Sequence, residues 1–144
     1  VGHMKTIKYP YNEYKKDLNS LVKQIKKSNI KYDFVLGVER GGLIPAVHLS
    51  HRLGLPLRTL TWSSIYKDAS MVTWFLLKNK KILLVDDIVD SGKTFLEIFG
   101  KFWNMDTAVL IYNNINEAKI KPNYYGRQIN RIDTPEWFDF WWEK

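Results

Sequence analysis

The sequence predicts an α/β fold with a mainly parallel sheet. Short apolar runs of strand length alternate along the chain with segments of helical period. The runs are continuously apolar rather than alternating, which is the pattern of strands covered on both faces. Two of them lead directly into segments that mix glycine with charge, Glu39–Gly42 and Asp86–Thr94. In parallel sheets, ligands bind beyond the carboxyl ends of the strands, where such segments lie.

Within Tyr11–Lys27, the residues Tyr14, Leu18, Leu21, Val22 and Ile25 fall at helical spacing behind a charged outer face. Asp33–Val38 (DFVLGV) is the first buried strand, and the ERGG segment breaks it. Leu43–Leu53 follows as a helix closed by Gly54. Leu55–Trp62 is a second strand, and Ser63–Asn79 has no clean period and is expected to be a loop. Lys81–Val85 is the third strand. Phe95, Leu96, Ile98, Phe99, Phe102 and Trp103 then mark an amphipathic helix, and Ala108–Tyr112 is the fourth strand. The remainder is polar and then aromatic, with WFDFWW from Trp137 to Trp142. No repeat or linker interrupts the chain. Its 144 residues suit one core, so 4–144 is expected to be a single domain, with Val1–His3 read as a cloning remnant ahead of Met4.

The chain has no cysteine, which excludes disulfides and thiolate metal sites and fits a cytoplasmic protein. No apolar run approaches the ~18 residues of a membrane span. The net charge of +7 is spread in small groups such as Lys15–Lys16 and Lys26–Lys27, without a dense basic block. That distribution favours solvated helix faces and an anionic small-molecule ligand over nucleic acid. His48 and His51 lie three apart on one helix and are too few to hold a metal.

The segment ILLVDDIVDSGKT, Ile82–Thr94, ends like a nucleotide-binding P-loop. A P-loop needs a glycine five residues before the Gly of its Gly-Lys pair. Here that position is Asp87, whose charge would repel the phosphates, so the P-loop reading fails. Backbone N–H groups at a helix start suit a monophosphate instead. Asp90, Ser91, Gly92, Lys93 and Thr94 form that turn, and the Ser91 and Thr94 hydroxyls assist it. Asp86 and Asp87 suit the vicinal hydroxyls of a ribose, directly or through magnesium. Asp90 remains for chemistry near the anomeric carbon.

This segment resembles the phosphoribosyl-pyrophosphate (PRPP) motif of type I phosphoribosyltransferases, in which four apolar residues precede two acids and a hydroxyl-Gly-x-Thr turn. Val38–Leu57 resembles the family's first loop, and the resemblance implies that Arg40, Gly41 and Gly42 receive pyrophosphate. The order of the pieces and the ending TPEWFDFWWEK are most similar to bacterial xanthine-guanine phosphoribosyltransferases. The resemblance implies the type I fold, a twisted parallel sheet flanked by helices with a small C-terminal hood. It implies PRPP and a 6-oxopurine (guanine, xanthine or hypoxanthine) as substrates, with Mg2+ held by Asp86 and Asp87. By the same resemblance Asp90 is the general base or acid at the purine N7, and Trp137, followed by Phe138, stacks on the base. A homodimer or homotetramer is expected as well.

Three positions depart from the family pattern. Asn114 stands where the family has a lysine that contacts the purine 6-oxo group. Lys67 is the one basic residue offered by the segment SSIYKDASMVTW. Glu39 replaces a small hydroxyl residue. Asn114 and Glu39 keep open a regulator that binds PRPP or nucleotide without turnover; pyrimidine salvage is a third reading, against which the Trp137 ending argues.

Overall fold

The computed structural model describes residues 5–61, 79–93, 96, 105–116 and 120–143. Five strands form one parallel sheet: β2 (Phe34–Glu39), β3 (Leu57–Thr61), β4 (Ile82–Val89), β5 (Met105–Asn113) and β6 (Tyr124–Ile129), in the order β3-β2-β4-β5-β6. Helices α1 (Tyr11–Ser28) and α2 (Leu43–Leu53) cover one face. A second, two-stranded parallel sheet joins β1 (Thr6–Tyr9) to β7 (Trp137–Phe140). No helix among the described residues is long and apolar enough to cross a membrane.

The continuous apolar runs reflect burial on both faces. Along β4, Leu83 and Val85 join the cluster under α1 and α2, while Ile82 and Leu84 join the cluster on the opposite face. The inner face of α1 is the one its periodicity marks: Tyr14, Leu18, Leu21, Val22 and Ile25 are all buried. Gly54 closes α2 in the left-handed conformation, at φ 66°. Beyond Asn79, the predicted loop Ser63–Asn79 lies outside the described residues, as do Trp62, Lys67 and Trp74. Lys93 and Leu96 are helical, and the rest of the predicted helix through Trp103 also lies outside them.

Three strands were not anticipated. β1 and β7 have only four residues each and pair with one another from opposite ends of the chain. β6 is an edge strand of mixed composition, YYGRQI, with no apolar run to reveal it.

The expected all-charged outer face of α1 is also incomplete, because Asp17 is buried at 4% exposure. Its carboxylate accepts hydrogen bonds from the Tyr9 hydroxyl and from Arg127 Nε, the latter at 2.6 Å. Arg127 also donates to Glu13 at 2.5 Å, and its guanidinium lies over the Tyr9 ring. One arginine on β6 thus ties α1 to β1. Arg127→Ala would leave Asp17 buried without its cation, which costs about 3 kcal/mol, the low end for stripping one partner from a buried pair. Urea unfolding should show a lower midpoint with an unchanged slope.

Candidate active site

β4 is longer on one side than on the other. Its pairing with β2 ends at Gly37↔Val85, but its pairing with β5 continues to Val89↔Tyr112. The strand therefore does not end at Val85, as the sequence suggests, and carries Asp86 and Asp87 past its last pair with β2. The turn after β2 fills the space beside them. A Cβ at Gly41 would lie 2.3 to 2.9 Å from the Asp87 carboxylate group. A Cβ at Gly42 would meet the Val85 carbonyl at 2.5 Å and the Val38 carbonyl at 2.8 Å. Gly42 is closed in by backbone carbonyls, a Cβ at Gly41 would displace the Asp87 carboxylate, and this close approach brings the two loops together. The peptide bond between Glu39 and Arg40 is cis.

Of the three residues expected to receive pyrophosphate, Gly42 has no free amide to offer. The Gly42 N–H donates to the Val38 carbonyl at 2.9 Å, so it is already engaged. Gly42 is fixed by close packing, and Arg40 and Gly41 lie on the open side of the turn. Both line a cavity of about 740 Å3 with Leu43, Ile44, Asp87, Trp142 and Glu143. Trp142 and Glu143, from the C-terminal segment, were not among the expected site residues. Burial raises the Glu143 carboxyl above its usual range, and the nearby negative charge of Asp87 adds to the effect.

Asp86 and Asp87 carry the main electrostatic burden. Asp86 Oδ1 accepts the Asp87 N–H, and Asp87 Oδ1 accepts the Ile88 N–H, both at 2.8 Å. Burial nevertheless pushes both carboxyls above the ordinary aspartate range, and for Asp86 the charge of Asp87 pushes in the same direction. Such a pair favours a cation or hydroxyl donors. It fits magnesium, which needs only one or two carboxylates when substrate phosphates and waters complete its shell. Among the described residues there is no group of three or more His, Cys, Asp or Glu that would cage a metal without substrate.

Beyond β4 the chain turns at Ser91–Lys93. A smaller cavity of about 110 Å3 lies there, lined by Asp86, Ile88, Val89, Asp90, Ser91, Gly92 and Lys93. Gly92 has φ 77°, and a Cβ on it would lie 2.1 Å from Ile120. The Leu96 N–H bonds the Gly92 carbonyl at 2.9 Å, which starts a helix at this turn. The expected helix-start turn is present at Ser91, Gly92 and Lys93, while Thr94 lies outside the described residues.

Asp90 does not stand alone. Arg131 Nε and Nη2 donate to its two carboxylate oxygens at 3.0 and 3.1 Å, and Asn113 Nδ2 donates to Oδ1 at 3.1 Å. Asn113 is 2% exposed. Its amide oxygen accepts the N–H groups of Ile115 and Arg131. The expected contact Asn114 is the next residue, at the start of a short 3-10 turn, and the Asp90 network uses its neighbour. Trp137 is 56% exposed on the outer side of β7. Phe138 is 6% exposed, packed against Tyr9 and under the Arg131 guanidinium. It supports the strand from the core side and presents no open face to a base.

The raised carboxyls set a pH dependence. Without ligand, the folded state holds the Asp86 and Asp87 protons more tightly than the unfolded chain. Their contribution is fully present below the ordinary carboxyl range, near pH ~4, and is lost as pH rises through their raised values. Asp86→Asn should therefore raise the ligand-free melting temperature at pH 7 by a few degrees. The gain should vanish near pH ~4, where the native carboxyl is already neutral. The same variant should lose affinity for phosphorylated ribose.

The sequence matches the model of the phosphoribosyl transferase domain over residues 10–139. It is 29% identical over 82 residues to the orotate phosphoribosyltransferase of Sulfurisphaera tokodaii, covering 57% of this chain and 41% of that protein. It is 33% identical over 78 residues to that of Bartonella henselae, covering 54% and 40%. The chain thus spans about two fifths of the length of these curated relatives. The fold superposes on the purine phosphoribosyltransferase of Pyrococcus horikoshii Ot3 with a TM-score of 0.75 at 26% identity, covering 98% of this chain and 96% of that one. The Helicobacter pylori xanthine-guanine-hypoxanthine enzyme gives a TM-score of 0.72 at 26% identity, covering 98% and 94%. With the two loops brought together at one sheet edge and the chain matched by the domain over residues 10–139, the protein belongs to the phosphoribosyltransferase family, on the type I fold.

Proposed function

We propose that the protein transfers ribose 5-phosphate from PRPP to a free 6-oxopurine, giving a nucleoside 5-monophosphate and pyrophosphate. The observation that carries this reading is the contact of Gly41 with Asp87. It sets a cation-bearing turn and a phosphate-sized turn on either side of two carboxylates. That order matches the substrate: diphosphate at Arg40–Gly41, ribose diol at Asp86 and Asp87, and 5-phosphate at Ser91–Lys93 with Thr94.

In the reaction, the bond from the anomeric carbon to the pyrophosphate oxygen breaks, and its electron pair leaves on pyrophosphate. A base nitrogen forms the new bond to that carbon. Arg40 offers a forked, charge-assisted contact to the leaving group. Mg2+ held by Asp86 and Asp87 would neutralise charge on the pyrophosphate when bound. Asp90 takes the role of base or acid at the purine ring nitrogen. Trp137 offers an exposed aromatic face for stacking, and the Asn114 amide can donate to a 6-oxo group. The work of the protein is positioning and charge stabilisation.

The purine assignment draws on solved neighbours that match nearly end to end. The orotate relatives match over a shorter stretch and favour a pyrimidine base as the second reading. Pyrophosphate release should be measured with PRPP, magnesium and, in turn, guanine, hypoxanthine, xanthine, adenine and orotate. The 6-oxopurines should turn over fastest. Orotate as the best substrate would favour the pyrimidine reading, and tight nucleotide binding without turnover would favour a regulator. Arg40→Ala should weaken pyrophosphate binding more than nucleoside monophosphate binding by calorimetry, and equal losses would make Arg40 structural.

A further inference from the structure

The Arg131 guanidinium holds together two parts of the site that are far apart in sequence. Nε and Nη2 grip the Asp90 carboxylate in a fork. Nη1 donates to the Thr134 carbonyl at 3.2 Å and the Glu136 carbonyl at 2.6 Å. Glu136 directly precedes Trp137. The guanidinium carbon sits 5.5 Å from the centre of the Phe138 ring, which supports β7 from within. The guanidinium is planar and rigid, so these contacts fix the Asp90 carboxylate and the start of β7 relative to one plane. A lysine could not do this, because its ammonium has no fork.

The surrounding turn is built to hold that plane in place. Asn130 accepts the N–H groups of Ile132, Asp133 and Thr134 through its side chain or its carbonyl. The Arg131 N–H donates to Asn113 Oδ1 at 3.2 Å, and the amide of that same asparagine donates to Asp90. Backbone and side chain of Arg131 therefore converge on one carboxylate. Only 18% of the Arg131 side chain is exposed, so the guanidinium is held largely within the protein while the Asp90 carboxylate stays open to the site, 41% exposed.

We propose that Arg131 is the positioning residue of the base site, aligning the Asp90 carboxylate with the Trp137 face so that both meet one flat base. The assignment rests on the functional reading above, in which Asp90 and Trp137 address the base. On this assignment Arg131 acts on the Asp90 carboxylate, while the rest of the phosphoribosyl half has other supports: Asp86 and Asp87 accept the N–H groups of Asp87 and Ile88, and the Ser91–Lys93 turn is held by Lys93 N–H on Ser91 Oγ and Leu96 N–H on the Gly92 carbonyl.

The test compares Arg131→Ala and Arg131→Lys with wild type. Steady-state constants are measured for PRPP and the best base, together with calorimetry on ribose 5-phosphate and on the product nucleoside monophosphate. Arg131→Ala should lower kcat by about tenfold to a hundredfold, the scale of a misplaced reacting group. The KM for the base should rise, while the KM for PRPP and the affinity for ribose 5-phosphate stay within about twofold. Arg131→Lys, which keeps the charge and covers the case in which the alanine variant does not fold, should recover only part of kcat. Added ethylguanidinium should restore part of the rate to Arg131→Ala, an effect that a purely structural loss would not show. Equal losses on ribose 5-phosphate and nucleotide, or unchanged kcat in both variants, would overturn the assignment alone. A wild type that binds neither PRPP nor nucleotide would overturn the functional reading and this assignment with it.

Discussion

The site depends on a steric constraint at the carboxyl edge of the sheet. β4 runs four residues past its last pair with β2, and the turn after β2 closes against that stretch. A Cβ at Gly42 would meet the Val85 and Val38 carbonyls, and one at Gly41 would displace the Asp87 carboxylate. Arg40 and Asp87 then line one cavity, the larger of the two described, between the turn and the C-terminal segment. The remaining elements support the two strands whose unequal lengths create the gap.

That arrangement has an electrostatic consequence. Two adjacent carboxylates partly withdrawn from water lose hydration, and their backbone N–H contacts replace only part of it. The empty site is therefore less stable at neutral pH than a neutral equivalent would be. A ligand with hydroxyls, or a cation, relieves the repulsion and gains affinity from it. Asp90 is handled differently. Its charge is met within the protein by a forked arginine and a buried amide, so it reaches the site already oriented.

Much of this was legible in the sequence wherever the relevant contacts are local. The inner face of α1, the Gly54 cap and the double-faced strands follow from periodicity and composition. The two loops were legible as loops because glycine and charge follow a buried strand. The reason for their glycines was not legible, because Gly41 answers to Asp87, a residue far along the chain. Asp17 looked like part of a solvated face, and only its pairing with Arg127 and Tyr9 allows its burial. Arg131 and Asn113 lie in polar stretches that carry no pattern. Their importance arises when β5 and the segment before β7 meet at Asp90. Phe138 was placed in the base site, but strand alternation turns it inward beside Phe140.

The central claim is that two separate turns at one sheet edge bind the two ends of a single phosphorylated sugar. Backbone amide NMR with ribose 5-phosphate and with pyrophosphate, each titrated alone, tests it most directly. Ribose 5-phosphate should shift the amides of Ser91, Gly92 and Lys93, and pyrophosphate should shift those of Arg40 and Gly41. With both ligands present, the two sets should move together without competition. If both ligands shift the same amides, or either shifts only residues away from these turns, the account is wrong.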